Sequence, residues 1–219
     1  MAYGAGRALR NLVALTFLLV SPAFAVPLQI VALGDSLTAG YGLAPEDGLV
    51  PQLQAWLAAA GVDVVVQNAG VSGDTTAGGR ARLDWSLANG ADALIVALGG
   101  NDLLRGLPPE ASRENLDAIL TEANNRGLPA LLVGLPAPSN YGPDYKAAFD
   151  AIFSDLAAAH DALLLENLLA PIMTLSAQDR TARGLMQGDG LHPSREGVAL
   201  VVATLGPKVL DLVARVPPR

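Results

Sequence analysis

An α/β domain built on a mostly parallel sheet is the fold class that this chain predicts. Two observations carry that reading. Short apolar runs alternate with longer segments of helical period. The runs are continuously apolar rather than alternating, so both faces of the sheet should be covered by helices.

Taken in order, the expected strands are Leu28 to Leu33, Val62 to Val66, Ala93 to Leu98, Ala130 to Leu135 and Ala162 to Leu165. Between them, Leu49, Leu53, Trp56 and Leu57 recur at helical spacing, as do Leu116, Ile119, Leu120 and Ala123. Ser112 is placed to cap this second helix, with Gly127 and Pro129 beyond its end. Tyr145, Phe149, Ile152, Phe153 and Leu156 mark a third. A last helix is expected from about Arg195 toward Leu212, kinked or interrupted at Gly206-Pro207. These stripes are core; no chemistry is assigned to them.

Ahead of the first strand, Met1 to Ala25 has the pattern of an export signal. Arg7 and Arg10 precede an apolar run from Leu12 to Val20, and Ala23-Phe24-Ala25 offers small residues for cleavage after Ala25. A run of roughly 9 apolar residues is far short of the ~20 that cross a bilayer. The expectation is a periplasmic or secreted protein of one domain, residues 26–219. There is no cysteine, which excludes disulfides and thiol-linked lipids. The formal charge is −7, and loss of the two leader arginines makes it more negative still. That charge disfavours nucleic acid as a partner, since phosphate contacts need clustered Lys and Arg. No stable membrane insertion is expected after cleavage, and oligomeric state is not legible.

Loops after strands, at the carboxyl edge of the sheet, are where open α/β folds place their sites. Four such segments hold chemically useful groups: Gly34-Asp35-Ser36-Leu37, Asn68-Ala69-Gly70-Val71, Gly99-Gly100-Asn101-Asp102 and Asp189-Gly190-Leu191-His192. Ser36 follows the first strand through two turn residues, so its hydroxyl and N–H should be presented at the sheet edge. It is not the Gly-x-Ser-x-Gly elbow of the α/β-hydrolases. A serine hydroxyl attacks near neutral pH only when a positioned base takes its proton. The chain has two histidines. His192, in an unperiodic glycine-rich stretch before Pro193, is the better base, with Asp189 three residues earlier to fix its tautomer. His160, next to Asp161 on an expected helix, is read as packing or solvated. Gly70 and Asn101, each just after a strand, are candidate donors to a developing oxyanion, Gly70 through its N–H and Asn101 through its side-chain amide. Singly, each segment is an ordinary turn sequence.

Together the four segments resemble the SGNH, or GDSL, hydrolases, over essentially the whole of the chain past the leader. Ala32 to Gly42, Ser72-Gly73-Asp74-Thr75-Thr76-Ala77-Gly78-Gly79 and Asn140-Tyr141-Gly142-Pro143-Asp144-Tyr145 make the likeness closest to exported esterases of the thioesterase I, lysophospholipase and arylesterase kind. The resemblance implies a flavodoxin-like three-layer sandwich on a five-stranded parallel sheet. It implies a Ser36, His192, Asp189 triad and an oxyanion hole from Ser36, Gly70 and Asn101. It also implies a mobile loop beside the acyl groove, here Asp74 to Arg80, whose glycines can act as hinges. Leu37, Asp74, Thr75, Tyr141 and Leu191 are the positions expected to touch substrate. Two departures bear on the groove rim: Leu165 to Ala170 lacks a glycine, and Arg195-Glu196 follows His192-Pro193-Ser194.

The activity so implied is hydrolysis of esters and thioesters through an acyl group on Ser36, acting on aryl esters, acyl thioesters and lysophospholipid-like molecules. Deacetylation of polysaccharide is the alternative that keeps the same machinery. A nucleotide-binding module is disfavoured because no Gly-Lys-Ser/Thr and no helix-opening Gly-x-Gly-x-x-Gly occurs. A silent acyl carrier would need the groove without the triad. A zinc hydrolase is disfavoured by the lack of cysteine and of any ligand-spaced cluster. No cofactor and no metal are expected.

Overall fold

The computed structural model of the protein describes Met1 and residues 26–218; of the expected leader, all but Met1 lies outside the described residues. Five strands, β1 (Leu28–Gly34), β2 (Val64–Gly70), β3 (Ala93–Ala97), β4 (Ala130–Val133) and β5 (Leu163–Leu165), form one parallel sheet in the order β2-β1-β3-β4-β5. The five expected strands are all present. Their boundaries differ by a few residues, most at β2, which begins two residues later and runs four further, to Gly70.

The helices are α1 (Ser36–Ala39), α2 (Leu49–Ala59), α3 (Thr76–Ala81), α4 (Leu83–Ser86), α5 (Gly100–Leu104), α6 (Pro109–Asn125), α7 (Pro143–Ala159), α8 (Ala170–Met173), α9 (Ala177–Ala182) and α10 (Arg195–Ala214). Successive residues of a strand point to opposite faces. Ile30 and Ala32 of β1 accordingly join a core with α2 and α10, while Val31 and Leu33 join a second core with α6 and α7. Helices on both faces of the sheet make three layers, as the continuously apolar strands required. Leu57, Leu116, Ile119 and Phe149 are fully buried in those layers.

Three local expectations are corrected. Ser112 does not cap α6, which starts at Pro109; it is buried within the first turns and donates to Asp102 Oδ1 at 3.1 Å. The last helix is not interrupted at Gly206-Pro207 but runs on to Ala214. Pro207 cannot donate to the carbonyl of Ala203, yet both residues lie on the exposed side of α10, where water can satisfy that oxygen. Gly206 faces inward and lets the Trp56 indole pack flat on the helix, since a Cβ there would lie 2.5 Å from the ring. The stretch expected to be a mobile loop, Asp74 to Arg80, is mostly α3. Its first residue Thr76 is fully buried and bonds Asp102 twice, through its N–H at 2.8 Å and its hydroxyl at 2.6 Å.

Among the described residues, the outer edge of β2 has no strand beside it. The side-chain amide of Gln54, on α2, fills that place: its oxygen accepts from the Val66 N–H and its nitrogen donates to the Val64 carbonyl, both at 2.8 Å.

Candidate active site

Ser36 opens α1, a single turn resting directly on the ends of β1 and β2. The side chain of Asp35 caps that turn by accepting from the Leu37 N–H at 3.0 Å, and Gly40 ends it in the left-handed region at φ 81°. The close seating depends on Gly34 and Gly70, which are register partners. A Cβ on Gly34 would fall 2.0 Å from Thr38 Oγ1, and one on Gly70 would fall 2.3 Å from the Ala39 nitrogen. Arg82 fastens the same edge from below. Its guanidinium donates to the carbonyls of Gly34 and Ala69 and pairs with Asp74 at 2.6 Å.

His192 lies across from Ser36 on the loop between α9 and α10. Its Nε2 is 2.9 Å from Ser36 Oγ and its Nδ1 is 2.6 Å from Asp189 Oδ2. An ionised carboxylate can only accept, so Nδ1 carries the proton and Nε2 is left to accept from the serine hydroxyl. The other Asp189 oxygen takes the N–H groups of Leu191 and His192, at 2.9 and 3.0 Å. The bond from the His192 N–H, then that from its side chain, hold the Asp189 carboxyl down at about 2, so it is ionised throughout the neutral range. Asp35 behaves oppositely: burial raises it to about 6, partly offset by the Leu37 N–H and the nearby imidazole.

His160, read as packing or solvated, caps the C-terminus of α7 and ties it to α6, with Nε2 2.7 Å from Asp117. It lines neither cavity beside Ser36. Asp102, buried and accepting from Thr76 and Ser112, is scaffolding for α3, α5 and α6.

Of the donors expected around a substrate carbonyl, Asn101 is well placed and Gly70 is not. Asn101, on α5, lines a cavity together with Ser36 and His192, its side-chain nitrogen donating one hydrogen to the Asp74 carbonyl at 2.9 Å. The second hydrogen is left for a ligand. The Gly70 N–H is spent on Asn68 Oδ1 at 2.9 Å, and the absence of a side chain there serves the seating of α1. Just past β2, the Asp74 N–H closes a turn onto the Val71 carbonyl, with Gly73 at φ 87°. The Gly73 carbonyl accepts from Arg105 at 2.7 Å, while its N–H has no partner among the described residues. The turn is held by Asn101 on α5 and by Arg105 just past it, which makes the Gly73 N–H a candidate donor that sequence reading did not single out. Its signal was the Ser72-Gly73-Asp74-Thr75 run, whose glycine stands in a turn rather than at a strand end.

Two hollows share Ser36, Leu37, Leu169 and His192. One, of about 130 Å³, is walled by Leu37, Leu103, Leu104, Leu135, Leu169 and Leu191. The other is a crevice of about 20 Å³ running under Tyr41 toward Leu49 and Val201. Leu37 and Leu191 line the first hollow. The side chains of Asp74, Thr75 and Tyr141 are not part of that lining: Asp74 pairs with Arg82, the Thr75 hydroxyl caps α3 by accepting from Gly78, and Tyr141 lies tilted against Tyr145 with ring centroids 4.9 Å apart. Past β5, where a glycine was expected, Leu168 and Leu169 supply apolar wall. Arg195 pairs with Asp47 at 3.2 Å and Glu196 accepts from Ser194.

Set together, these groups can deprotonate a hydroxyl, hold an ester beside it and stabilise a negative oxygen. Comparison with known proteins agrees with that chemistry. The model of the GDSL-like lipase/acylhydrolase family matches residues 32–200. Esterase TesA of Pseudomonas aeruginosa is 38% identical over 197 residues, covering 90% of this chain and 94% of that protein. Thioesterase 1/protease 1/lysophospholipase L1 of Escherichia coli K12 is 33% identical, with 84% of each chain covered. A crystal structure of TesA superposes with a TM-score of 0.76 at 36% identity, covering 84% of this chain and 99% of the other.

Proposed function

The chain belongs to the GDSL-like lipase/acylhydrolase family and is a serine ester hydrolase, and from that premise we propose that Ser36 is the nucleophile, His192 its base and Asp189 the carboxylate that orients the base. The reading rests above all on one observation: a serine hydroxyl 2.9 Å from an imidazole whose far nitrogen is 2.6 Å from a carboxylate. His192 takes the Ser36 proton as Oγ attacks the substrate carbonyl. Charge then develops on the carbonyl oxygen, which receives hydrogen bonds from Asn101 Nδ2 and from the N–H groups of Ser36 and Gly73. The imidazolium returns its proton to the departing alkoxide or thiolate, leaving the acyl group on Ser36. Water, deprotonated by the same nitrogen, releases the acid and regenerates the serine.

The acyl half of the substrate belongs in the leucine-walled cavity beside Asn101. Its walls suit hydrocarbon and offer a sugar few partners. A void of ~150 Å³ takes benzene, so this cavity matches a chain of about six carbons. Each buried methylene contributes about 0.8 kcal/mol, or roughly fourfold in kcat/KM. Aryl esters, acyl thioesters and lysophospholipid-like molecules are the substrate classes proposed, in keeping with the names of the relatives. Residues 1–25 direct export to the periplasm or beyond and are removed after Ala25, leaving residues 26–219 as one hydrolase domain. Support comes from the basic, apolar and small-residue order of that leader and from Val26, which is exposed two residues ahead of β1.

Ser36→Ala tests the nucleophile. Hydrolysis of a p-nitrophenyl ester should fall by roughly 10⁴–10⁶ with the far-ultraviolet circular dichroism unchanged; a folded variant that keeps turnover sinks the assignment. A p-nitrophenyl series from acetate to decanoate should gain in kcat/KM up to about six carbons and then level. A flat series would remove the acyl chain from this cavity.

A further inference from the structure

The Asp189–His192 geometry is local, because the bonds that the Asp189 carboxylate accepts all come from residues 191 and 192. The Ser36–His192 geometry is not: it joins side chains 156 positions apart, on two loops that must be held in register by something else. One side chain bridges those loops next to the reacting atoms. Gln187 lines the crevice shared by Ser36 and His192. Its backbone N–H donates to the His192 carbonyl at 2.8 Å, and its side-chain nitrogen donates to the Pro193 carbonyl at 3.0 Å and the Tyr41 carbonyl at 2.8 Å. Tyr41 in turn donates its own N–H to the Ser36 carbonyl at 3.1 Å and lays its ring on the imidazole, with centroids 4.8 Å apart.

Both side-chain partners are carbonyl oxygens, so the amide can sit only with its nitrogen toward them. The turn after α1 is shaped around it. Gly42, at φ 74°, has no side chain where a Cβ would fall 2.2 Å from Gln187 Oε1.

We propose that Gln187 is the positioning residue for the Ser36–His192 pair, its amide clasping the turn behind the nucleophile to the segment behind the base. The proposal rests on the assignment of Ser36 and His192 above. A displacement of the order of 1 Å between reacting groups can cost ~10²-fold in rate. Loss of the clasp therefore acts on the rate of acylation and leaves the carboxylate–imidazole bond and the acyl cavity intact.

The test compares Gln187→Met, which keeps length but removes both donors, with Gly42→Ala, which pushes the amide aside. In each, kcat for p-nitrophenyl butyrate and labelling of Ser36 by a fluorophosphonate should fall about 10- to 100-fold, with KM within about twofold. The downfield proton signal of the His192 Nδ1–H should persist. Two folded variants with kcat within about twofold of the parent overturn the proposal, and so does failure of both to fold, which would make Gln187 a support of the fold alone. If only one variant folds, its kcat decides. Ser36→Ala separates the two levels of inference: activity retained there removes the site assignment itself, whereas an inactive Ser36→Ala beside a fully active Gln187→Met removes only the clasp.

Discussion

Asp35 sits one bond from the nucleophile and pays for its place in burial. Its carboxyl is raised to about 6, so between about pH 4 and 6 the folded state holds a proton that the unfolded chain has released. Stability from this group therefore falls as pH rises through that window, and the penalty is constant above it. Asparagine can cap α1 equally well. Asp35→Asn should raise stability at pH 8 by about 1–3 kcal/mol and flatten the pH dependence between 4 and 6, read by urea denaturation at each pH. It should also lower kcat, because the variant removes a negative charge near the imidazolium. Asp189 runs the other way: held at about 2, it lends stability that is present above about pH 4 and is lost only as pH falls toward 2. At this scale the sequence was informative wherever the chemistry is local. Asp189 and His192 are three residues apart, and only two histidines compete, so the base could be chosen before any coordinates. Asp74, Thr75 and Tyr141 were not legible, because the close partners that take their side chains, Arg82, Gly78 and Tyr145, follow from how α3 and α7 begin rather than from the residue types.

The short helix bearing Ser36 exists in its position because two strands end in glycine. Gly34 and Gly70 lie side by side, and α1 rests where their side chains would be. Gly70→Ala would force a Cβ to 2.3 Å from the Ala39 backbone and should cost the fold several kcal/mol or prevent it, seen as loss of the thermal transition. Gly73→Ala meets nothing closer than Arg105 Nη2 at 3.8 Å, and its cost is that of a left-handed residue. It should fold with a loss of about 1 kcal/mol while kcat falls at least about tenfold, because strain turns its N–H away. An equal kcat in folded Gly73→Ala and parent would take Gly73 out of the oxyanion site. Strands and long helices were legible from their periodicity, since burial on two sheet faces and on one helix stripe writes itself into spacing. Two things were not: which glycine serves packing and which serves a turn, and that α3 is anchored. The anchor is Asp102, a residue 26 positions away that takes both the N–H and the hydroxyl of Thr76.

At the scale of the whole molecule, the layered fold sets β1 and β3 side by side, and the loops after them bring Ser36 and Asn101 to one edge. The His192 loop reaches that edge from the far end of the chain, just ahead of α10. Composition told that the sheet has two apolar faces but could not tell how its sides are closed, because closure depends on which side chain reaches the outermost backbone groups. At β2 that side chain is Gln54. Gln54→Leu should leave the Val66 N–H and the Val64 carbonyl open, and concentrated samples should show larger particles by light scattering than the parent under the same conditions. Unchanged particle size would mean that the edge is protected by other means. If the edge opens, the number of strands in this sheet is not a property of the strands at all. An amide borrowed from a neighbouring helix counts as the sixth, and the lateral extent of the protein is then decided by a single interchangeable residue.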